Sequence, residues 1–153
     1  MVAVHTLEVY PTIEELNEAV GRAFLARLST LINEAGADSR VNLAISGGAI
    51  TTSLLPSLLP FVGEVDWSRV RVWLVDERYV PVCDEDRNDD QAWDGFFHMA
   101  AAVEFVRMPT SDASAAGEGS LDEATAAFTQ TWRELMGERS FDIALIGMGP
   151  DGH

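Results

Sequence analysis

The sequence predicts an α/β fold in which a mostly parallel sheet is covered by helices on both faces. Short apolar runs of strand length alternate along the chain with segments of helical spacing. At 153 residues, 47% of them apolar, the chain is long enough to bury one core. No internal repeat or linker divides it, so we expect a single domain over residues 1–153.

The first part of the chain is predicted to form a helix, a strand and a short helix. Residues 12–35 fit an amphipathic helix that starts at a capping box of Thr12 and Glu15 and stops at Gly36. Its apolar residues recur at helical spacing: Leu16, Val20, Phe24, Leu28 and Leu31. Residues 41–46 form a continuous apolar run, typical of a buried parallel strand. Residues 52–59 fit a short helix, with Pro56 tolerated only in its first turn.

The same alternation of strands and helices continues to residue 146. A capping box of Ser120 and Glu123 predicts a helix that ends near Gly137. The other segments are a strand at 70–75, a helix at 89–101 capped by Asn88, a short strand at 103–106, an exposed loop at 110–119 and a last strand at 141–146.

The charge of the chain limits its partners. With 25 acidic and 10 basic residues the net charge is −15, which opposes binding to nucleic acid or to an anionic membrane. Residues 41–63 carry no charge, but their serines, glycines and prolines favour a strand, a turn and a helix over a membrane span. Cys83 is the only cysteine, so we expect no internal disulfide and a reducing, cytoplasmic location. No oligomeric state is predicted.

Polar loops follow three of the predicted strands, at the edge where such sheets bind ligands. They are Ser46-Gly47-Gly48, Asp76-Glu77-Arg78 and GMGPDGH at 147–153. The two glycines after the first strand let backbone N–H groups converge on an anion, or they serve only a tight turn. Asp76 can face the crevice while Arg78 grips a phosphate or an oxyanion; a solvated loop is the alternative.

The last loop has the spacing G-x-G-x-x-G, which by itself suggests a dinucleotide site. That site needs a helix that begins inside the motif and an acidic residue about 20 positions later, and neither is present. Asp151 would also place a negative charge beside a pyrophosphate, so dinucleotide binding is disfavoured. His153 can take a proton from water near neutral pH, or it is a terminal residue without a role.

Together these segments resemble the 6-phosphogluconolactonase family, within the superfamily of the glucosamine-6-phosphate deaminases. The resemblance rests on LAISGG, VDERYVP, Arg87-Asn88-Asp89 and FDIALIGMGPDGH, in that order over residues 43–153. It implies a Rossmann-like sheet and hydrolysis of 6-phosphogluconolactone to 6-phosphogluconate in the pentose phosphate pathway. The implied ligand is a small sugar phosphate, and no metal or organic cofactor is implied.

The resemblance also implies roles for individual residues. His153 corresponds to a general base that activates water, and Asp76 corresponds to the proton-shuttling aspartate of the deaminases. Asp151 is the third catalytic candidate. The candidates for binding the substrate and its phosphate are Ser46, Gly47, Gly48, Arg78, Asn88, Gly149 and Gly152.

Two departures from the family pattern leave alternatives open. The family usually continues SGG with Ser-Thr-Pro, but here Ala49, Ile50 and Thr51 follow, so Thr51 or Thr52 would have to supply a hydroxyl. Family members continue well past the GPDGH loop, so we expect the N-terminal part of the family domain and a sheet that is incomplete at its C-terminus. The alternatives are a sugar-phosphate isomerase or deaminase of the same fold, and a non-catalytic sugar-phosphate-binding remnant.

Overall fold

Four parallel strands form the sheet of the protein, in the order β3-β2-β1-β4. The structure is a computed structural model that describes residues 6–112 and 120–153. The strands are β1 (Val41–Ile45), β2 (Val70–Leu74), β3 (Glu104–Val106) and β4 (Ile143–Leu145). All four predicted strands are confirmed; the last one is shorter than the apolar run that predicts it. Most of the predicted loop at 110–119 lies outside the described residues.

The helices also follow the predicted order. They are α1 (Ile13–Glu34), α2 (Leu55–Ser57), α3 (Asn88–Gly95) and α4 (Leu121–Leu135). Both capping boxes are confirmed, because Thr12 Oγ1 accepts from the Glu15 N–H and Ser120 Oγ accepts from the Glu123 N–H. Gly137, at φ +60°, lies just past the end of α4, in the left-handed conformation that favours glycine.

The uncharged stretch at 41–63 folds as a strand, a turn and helical segments. A π-helical turn at Ile50–Leu54 runs directly into α2, and a 3₁₀ segment follows at Leu59–Glu64. The predicted helix at 52–59 is therefore confirmed as a helical segment, but it comprises a π-helical turn, the short α2 and the start of the 3₁₀ segment. Pro56 is the second residue of α2, in its first turn, as the prediction required. Across residues 6–112 and 120–153, no helix has the length and hydropathy needed to cross a bilayer.

The prediction for the helix at 89–101 is wrong at both ends. Arg87 occupies the N-cap position, and Asn88 is already the first helical residue. The helix ends at Gly95, and a separate 3₁₀ turn follows at Phe97–Met99. Asn88 has a different task, because its side chain packs on another loop, as described below.

Helices cover both faces of the sheet, as predicted. Alternate side chains of β1 and β2, among them Leu43 and Val72, face a core that also contains Leu28 of α1 and Leu55 of α2. The opposite face is covered by α4, where Trp73 packs against Trp132 with ring centroids 5.0 Å apart. The two central strands, β1 and β2, are thus buried on both sides, which explains their mainly apolar sequences.

Candidate active site

The predicted site loops lie side by side because of the strand order. β1 lies between β2 and β4, so the loops after β2, β1 and β4 leave one edge of the sheet in that order. From β1 the chain builds outward through β2 and β3, and it then returns to the other side of β1 to form β4. The gap between β1 and β4 is therefore the topological switch point, where open α/β sheets bind ligands.

Ser46 joins the loop after β1 to the loop after β4. Its backbone N–H donates to the Leu145 carbonyl at 3.0 Å, and its hydroxyl oxygen accepts from the Gly147 N–H at 2.8 Å. The hydroxyl also donates to the Gly47 carbonyl at 3.4 Å. These contacts hold the two loops together, so Ser46 has a structural task beside its predicted one in substrate binding.

Gly47 and Gly48 are required for different reasons. A Cβ atom on Gly47 would lie 2.0 Å from Oδ1 of Asn88, so the Asn88 amide lies directly on the bare Gly47 backbone. Gly48 has open space around it but adopts φ +64°, a left-handed conformation that L side chains rarely adopt. The segment is therefore a turn that needs glycine at both positions. Such a turn is compatible with a role in anion binding.

The hydroxyls of Thr51 and Thr52 are both directed back into the protein. Each donates to the Gly48 carbonyl, at 3.1 Å and 2.9 Å respectively. Thr51 is buried and also donates to Oε1 of Gln91 at 3.2 Å. A role of either hydroxyl in place of the serine and threonine of the family pattern stays a prediction.

Asp76 and Arg78 are exposed at the end of β2, while Glu77 between them is buried. The Asp76 carbonyl accepts from Nδ2 of Asn88 at 3.4 Å. Because the same amide lies on Gly47, Asn88 connects the loop after β2 to the loop after β1. The Arg78 guanidinium donates to the Asp86 carbonyl at 3.4 Å. Within residues 6–112 and 120–153, Arg78 forms no ion pair with a carboxylate, so its positive charge is available to an anion.

A buried arginine to which the sequence analysis assigns no role fixes this loop in place. Arg87 is 1% exposed, and it donates to both carboxylate oxygens of Asp89, at 2.9 Å and 2.6 Å. It also donates to the carbonyls of Arg78 and Met108, at 3.3 Å and 2.9 Å. Arg87 thereby ties the loop after β2 to α3 and to the segment that follows β3. The contacts with the Arg78 and Met108 carbonyls span 9 and 21 residues, so no local spacing could have revealed them.

The charges of this cluster stabilise one another. Burial by itself raises the pKa of the Asp89 carboxyl, but hydrogen bonds and the positive charge from Arg87, with a further contribution from Arg107, outweigh it. The pKa of Asp89 therefore lies below its ordinary value. In turn, the hydrogen bond that Arg87 donates to Asp89 raises the pKa of Arg87 despite its burial. Both groups remain charged at neutral pH.

The GMGPDGH loop after β4 closes on itself as a compact turn. The Gly149 N–H donates to the His153 carbonyl, and the Gly152 N–H donates to the Gly149 carbonyl at 3.0 Å. Oδ1 of Asp151 accepts from the His153 N–H at 3.2 Å. Gly152 has φ +82°, and a Cβ on Gly149 would lie 2.8 Å from Oδ1 of Asp151. The exposed His153 is thus presented by a turn that depends on Gly149, Asp151 and Gly152.

The structure brings the predicted residues together as two linked groups. One group comprises Asn88, Gly47, Gly48 and Asp76, and the other is the turn that ends at His153; Ser46 connects them. Arg78 lies on the loop after β2, next to the first group. In the part of the chain that the structure describes, no three His, Cys, Asp or Glu side chains are grouped in a way that could hold a metal ion.

Fold and site are those of the open α/β proteins, which bind ligands outside the carboxyl ends of their parallel strands. Residues 11–153 match the sequence model described as "Glucosamine-6-phosphate isomerases/6-phosphogluconolactonase", and the chain belongs to that family. The family resemblance carried by the loop motifs is thereby confirmed.

Curated relatives support the same membership. The chain is 31% identical over 144 residues to the 6-phosphogluconolactonase of Mycobacterium leprae. This alignment covers 88% of this chain and 56% of that protein. It is 32% identical over 158 residues to probable 6-phosphogluconolactonase 4 of Arabidopsis thaliana, with coverages of 95% and 59%. The chain thus spans less than two thirds of the length of these relatives.

Solved structures share the fold. The 6-phosphogluconolactonase of Trypanosoma brucei superposes with a TM-score of 0.76 at 21% identity, over 95% of this chain and 60% of that one. The enzyme from Thermotoga maritima gives a TM-score of 0.69 at 23% identity, with coverages of 90% and 57%. The Rossmann-like parallel sheet expected from the resemblance is confirmed.

The contact between Gly47 and Asn88 leads to a first prediction. We expect Gly47→Ala to displace the Asn88 amide and to lower the free energy of unfolding by about 1–3 kcal/mol, the usual cost of overpacking. Gly63→Ala is the matched control, because a Cβ at Gly63 meets no atom within 4 Å. Urea denaturation of the two variants and the parent measures the effect, and equal losses would contradict it.

The low pKa of Asp89 leads to a second prediction. Because that pKa is lower in the folded than in the unfolded chain, the stabilisation is present above the ordinary value of about 3.9 and is lost as the pH falls through the folded pKa. We expect Asp89→Asn to cost about 3 kcal/mol at pH 7, because it leaves buried Arg87 without its carboxylate.

Urea denaturation between pH 3 and 7 tests this expectation. The difference in unfolding free energy between the parent and Asp89→Asn should shrink as the pH drops below about 4. Asp94→Asn, at an exposed position of α3, is the control. A difference that stays constant down to pH 3 would show that the Asp89 charge does not stabilise the fold.

Proposed function

We propose that the protein hydrolyses 6-phosphogluconolactone to 6-phosphogluconate, a step of the pentose phosphate pathway. The observation that carries the proposal is the meeting of the three family loops at the switch point of the sheet. The names of the curated relatives support the choice of substrate. Since the chain spans only part of their length, the activity is proposed for the protein to which this chain belongs.

Arg78 and the backbone of Gly47 and Gly48 are proposed to hold the anionic groups of the substrate. Arg78 has no carboxylate partner among the described residues, whereas most of the other arginines form ion pairs. In a chain of net charge −15, a guanidinium whose charge is not neutralised by a carboxylate is a local centre of positive potential for an anion. Ser46 and Asn88 hold the Gly47–Gly48 turn next to Arg78. Direct contacts of these two residues with the substrate are also proposed.

His153 is proposed as the general base. Its imidazole takes a proton from water, and the water oxygen attacks the lactone carbonyl carbon. The bond between that carbon and the ring oxygen then breaks, and the proton that His153 took from water passes to the ring oxygen, which leaves as a hydroxyl. Asp151 would help to position His153 by accepting a hydrogen bond from its backbone N–H. Gly149 and Gly152 would allow the turn that presents it.

Asp76 has two possible tasks, and they separate the candidate functions. Exposed at the end of β2, its carboxylate can orient water or substrate in a lactonase, or it can move a proton between sugar carbons in an isomerase or deaminase. The family description includes both activities. Loss of 6-phosphogluconolactone compared with ammonia release from glucosamine 6-phosphate decides between them. Absence of both activities, with retained sugar-phosphate binding, would identify a non-catalytic binding module.

The proposed setting is a cytoplasmic enzyme with a small sugar-phosphate substrate and without a metal, an organic cofactor, nucleic acid or a membrane as partner. The single Cys83 is exposed and has no second cysteine to pair with, which suits a reducing compartment. Rice relatives are named as chloroplastic forms, so related proteins also occur in a plastid.

Removal of the proposed base gives the third prediction. We expect His153→Ala to lower kcat for lactone hydrolysis by about 10²–10⁴-fold, the usual contribution of a positioned general base. His98→Ala is the matched control, because His98 is also exposed and lies on the 3₁₀ turn after α3. The measurement is the initial rate at saturating lactone, corrected for spontaneous hydrolysis. Equal rates for His153→Ala and the parent would remove His153 from the mechanism.

A further inference from the structure

Glu77 is the one residue of the Asp76-Glu77-Arg78 loop whose side chain is buried. Its carboxylate is 2% exposed, although it lies between two exposed charged residues. Oε1 accepts from the backbone N–H of Asn88 at 2.9 Å, and Oε2 accepts from that of Asp89 at 2.8 Å. Oε1 also accepts from the Arg78 N–H at 2.8 Å. One carboxylate therefore binds both its own loop and the first turn of α3.

This arrangement replaces an ordinary helix cap. The first N–H groups of a helix have no partner within the helix, and the N-cap residue usually binds them with its own side chain. The N-cap residue of α3 is Arg87, whose side chain makes no such bond. Glu77 supplies the acceptor from the loop after β2, where its negative charge also favours the helix N-terminus. Arg87 lies 3.9 Å from Oε2 and stabilises that charge.

The position of the first turn of α3 has a consequence at the site. Asn88 is the first residue of α3, and its amide lies on Gly47 and donates to the Asp76 carbonyl. The backbone N–H of Asn88 is one of the two that Glu77 binds in α3. If this contact were lost and the start of α3 shifted, the side-chain amide of Asn88 would move with it. The contacts therefore run from Glu77 through Asn88 to Gly47 on one side and to Asp76 on the other.

We propose that Glu77 is a positioning residue of the site, which acts through Asn88 on the Gly47–Gly48 turn and on the Asp76 backbone. Its role in catalysis rests on the proposed lactonase function, whereas its role in positioning the turn does not. Because the turn is the proposed anion-binding element, loss of Glu77 should weaken substrate binding more than proton transfer at His153.

The decisive variant is Glu77→Gln, which keeps the size of the side chain. A glutamine offers one carbonyl oxygen where two acceptors are needed, and its NH₂ group would face a backbone N–H. It also removes the charge opposite Arg87. Glu85→Gln is the matched control, since Glu85 is an exposed carboxylate on the segment that precedes α3.

Assigned ¹H–¹⁵N spectra and amide hydrogen exchange of the 153-residue chain test the positioning directly. In Glu77→Gln we expect faster exchange at Asn88 and Asp89 together with shifted amide signals at Gly47 and Gly48, and no such changes in Glu85→Gln. If the α3 amides change while the Gly47 and Gly48 signals stay in place, Glu77 is only a helix cap and the proposal is overturned.

A second variant keeps the test decisive if Glu77→Gln does not fold. Asn88→Ala retains the backbone N–H that Glu77 binds but removes the amide that lies on Gly47. The proposal expects shifted signals at Gly47 and Gly48, with the exchange rates of the Asn88-position and Asp89 amides unchanged. Unchanged glycine signals would break the link between α3 and the turn.

Kinetics form a separate arm. In lactone hydrolysis we expect Glu77→Gln to raise KM by about tenfold, the effect of losing roughly one hydrogen bond, with kcat changed less than about twofold. A fall in kcat at constant KM would contradict a role in binding. If the protein to which this chain belongs does not hydrolyse the lactone, the proposed function fails, and the amide spectra still decide whether Glu77 positions the turn.

Discussion

β1 pairs with β2 on one side and with β4 on the other, and the rest of the molecule is arranged around that double pairing. All five residues of β1 are buried. Because parallel strands end at the same edge, their following loops must leave together. Ser46, the first residue after β1, then bonds to Leu145 and Gly147 of the neighbouring strand and loop. The site is thus a direct consequence of which strands are neighbours.

The acidic character of the chain gives its arginines two distinct uses. Arg87 is buried in a cluster with Asp89 and Glu77, and Arg107 contacts Asp89 at 3.4 Å. Such a cluster is stable only when nearly every donor and acceptor has a partner, and the carbonyls of the adjoining loops complete it. Arg78, the residue that follows Glu77, is exposed. The buried arginine fixes the loop, whereas the exposed one is the residue that we propose for binding an anionic ligand.

Glycine has separate physical tasks at this edge. Gly47 makes room for the Asn88 amide, whereas Gly48 and Gly152 supply left-handed backbone. The hydroxyls that would be expected to help the first turn are absent at Ala49 and Ile50, and Thr51 and Thr52 bind the Gly48 carbonyl instead. A ligand at this turn would therefore meet mainly backbone N–H groups. The neighbouring arginine then becomes more important for anion affinity than in a turn that is rich in hydroxyls.

The sequence alone determined the elements whose signals are local: the capping boxes at Thr12 and Ser120, the apolar strands, and the loops at their carboxyl ends. Periodicity and capping act within a few residues, so they can be read without a structure. Tertiary structure decided which loop residues are buried. It made Glu77, in place of Asn88 or Arg87, the acceptor for the N-terminus of α3, and it closed the Asn88 amide over Gly47. The pairing of β1 with β2 brings Gly47 close to Asn88, and the contacts of Glu77 with α3 span 11 and 12 residues. No local pattern in the sequence encodes either contact.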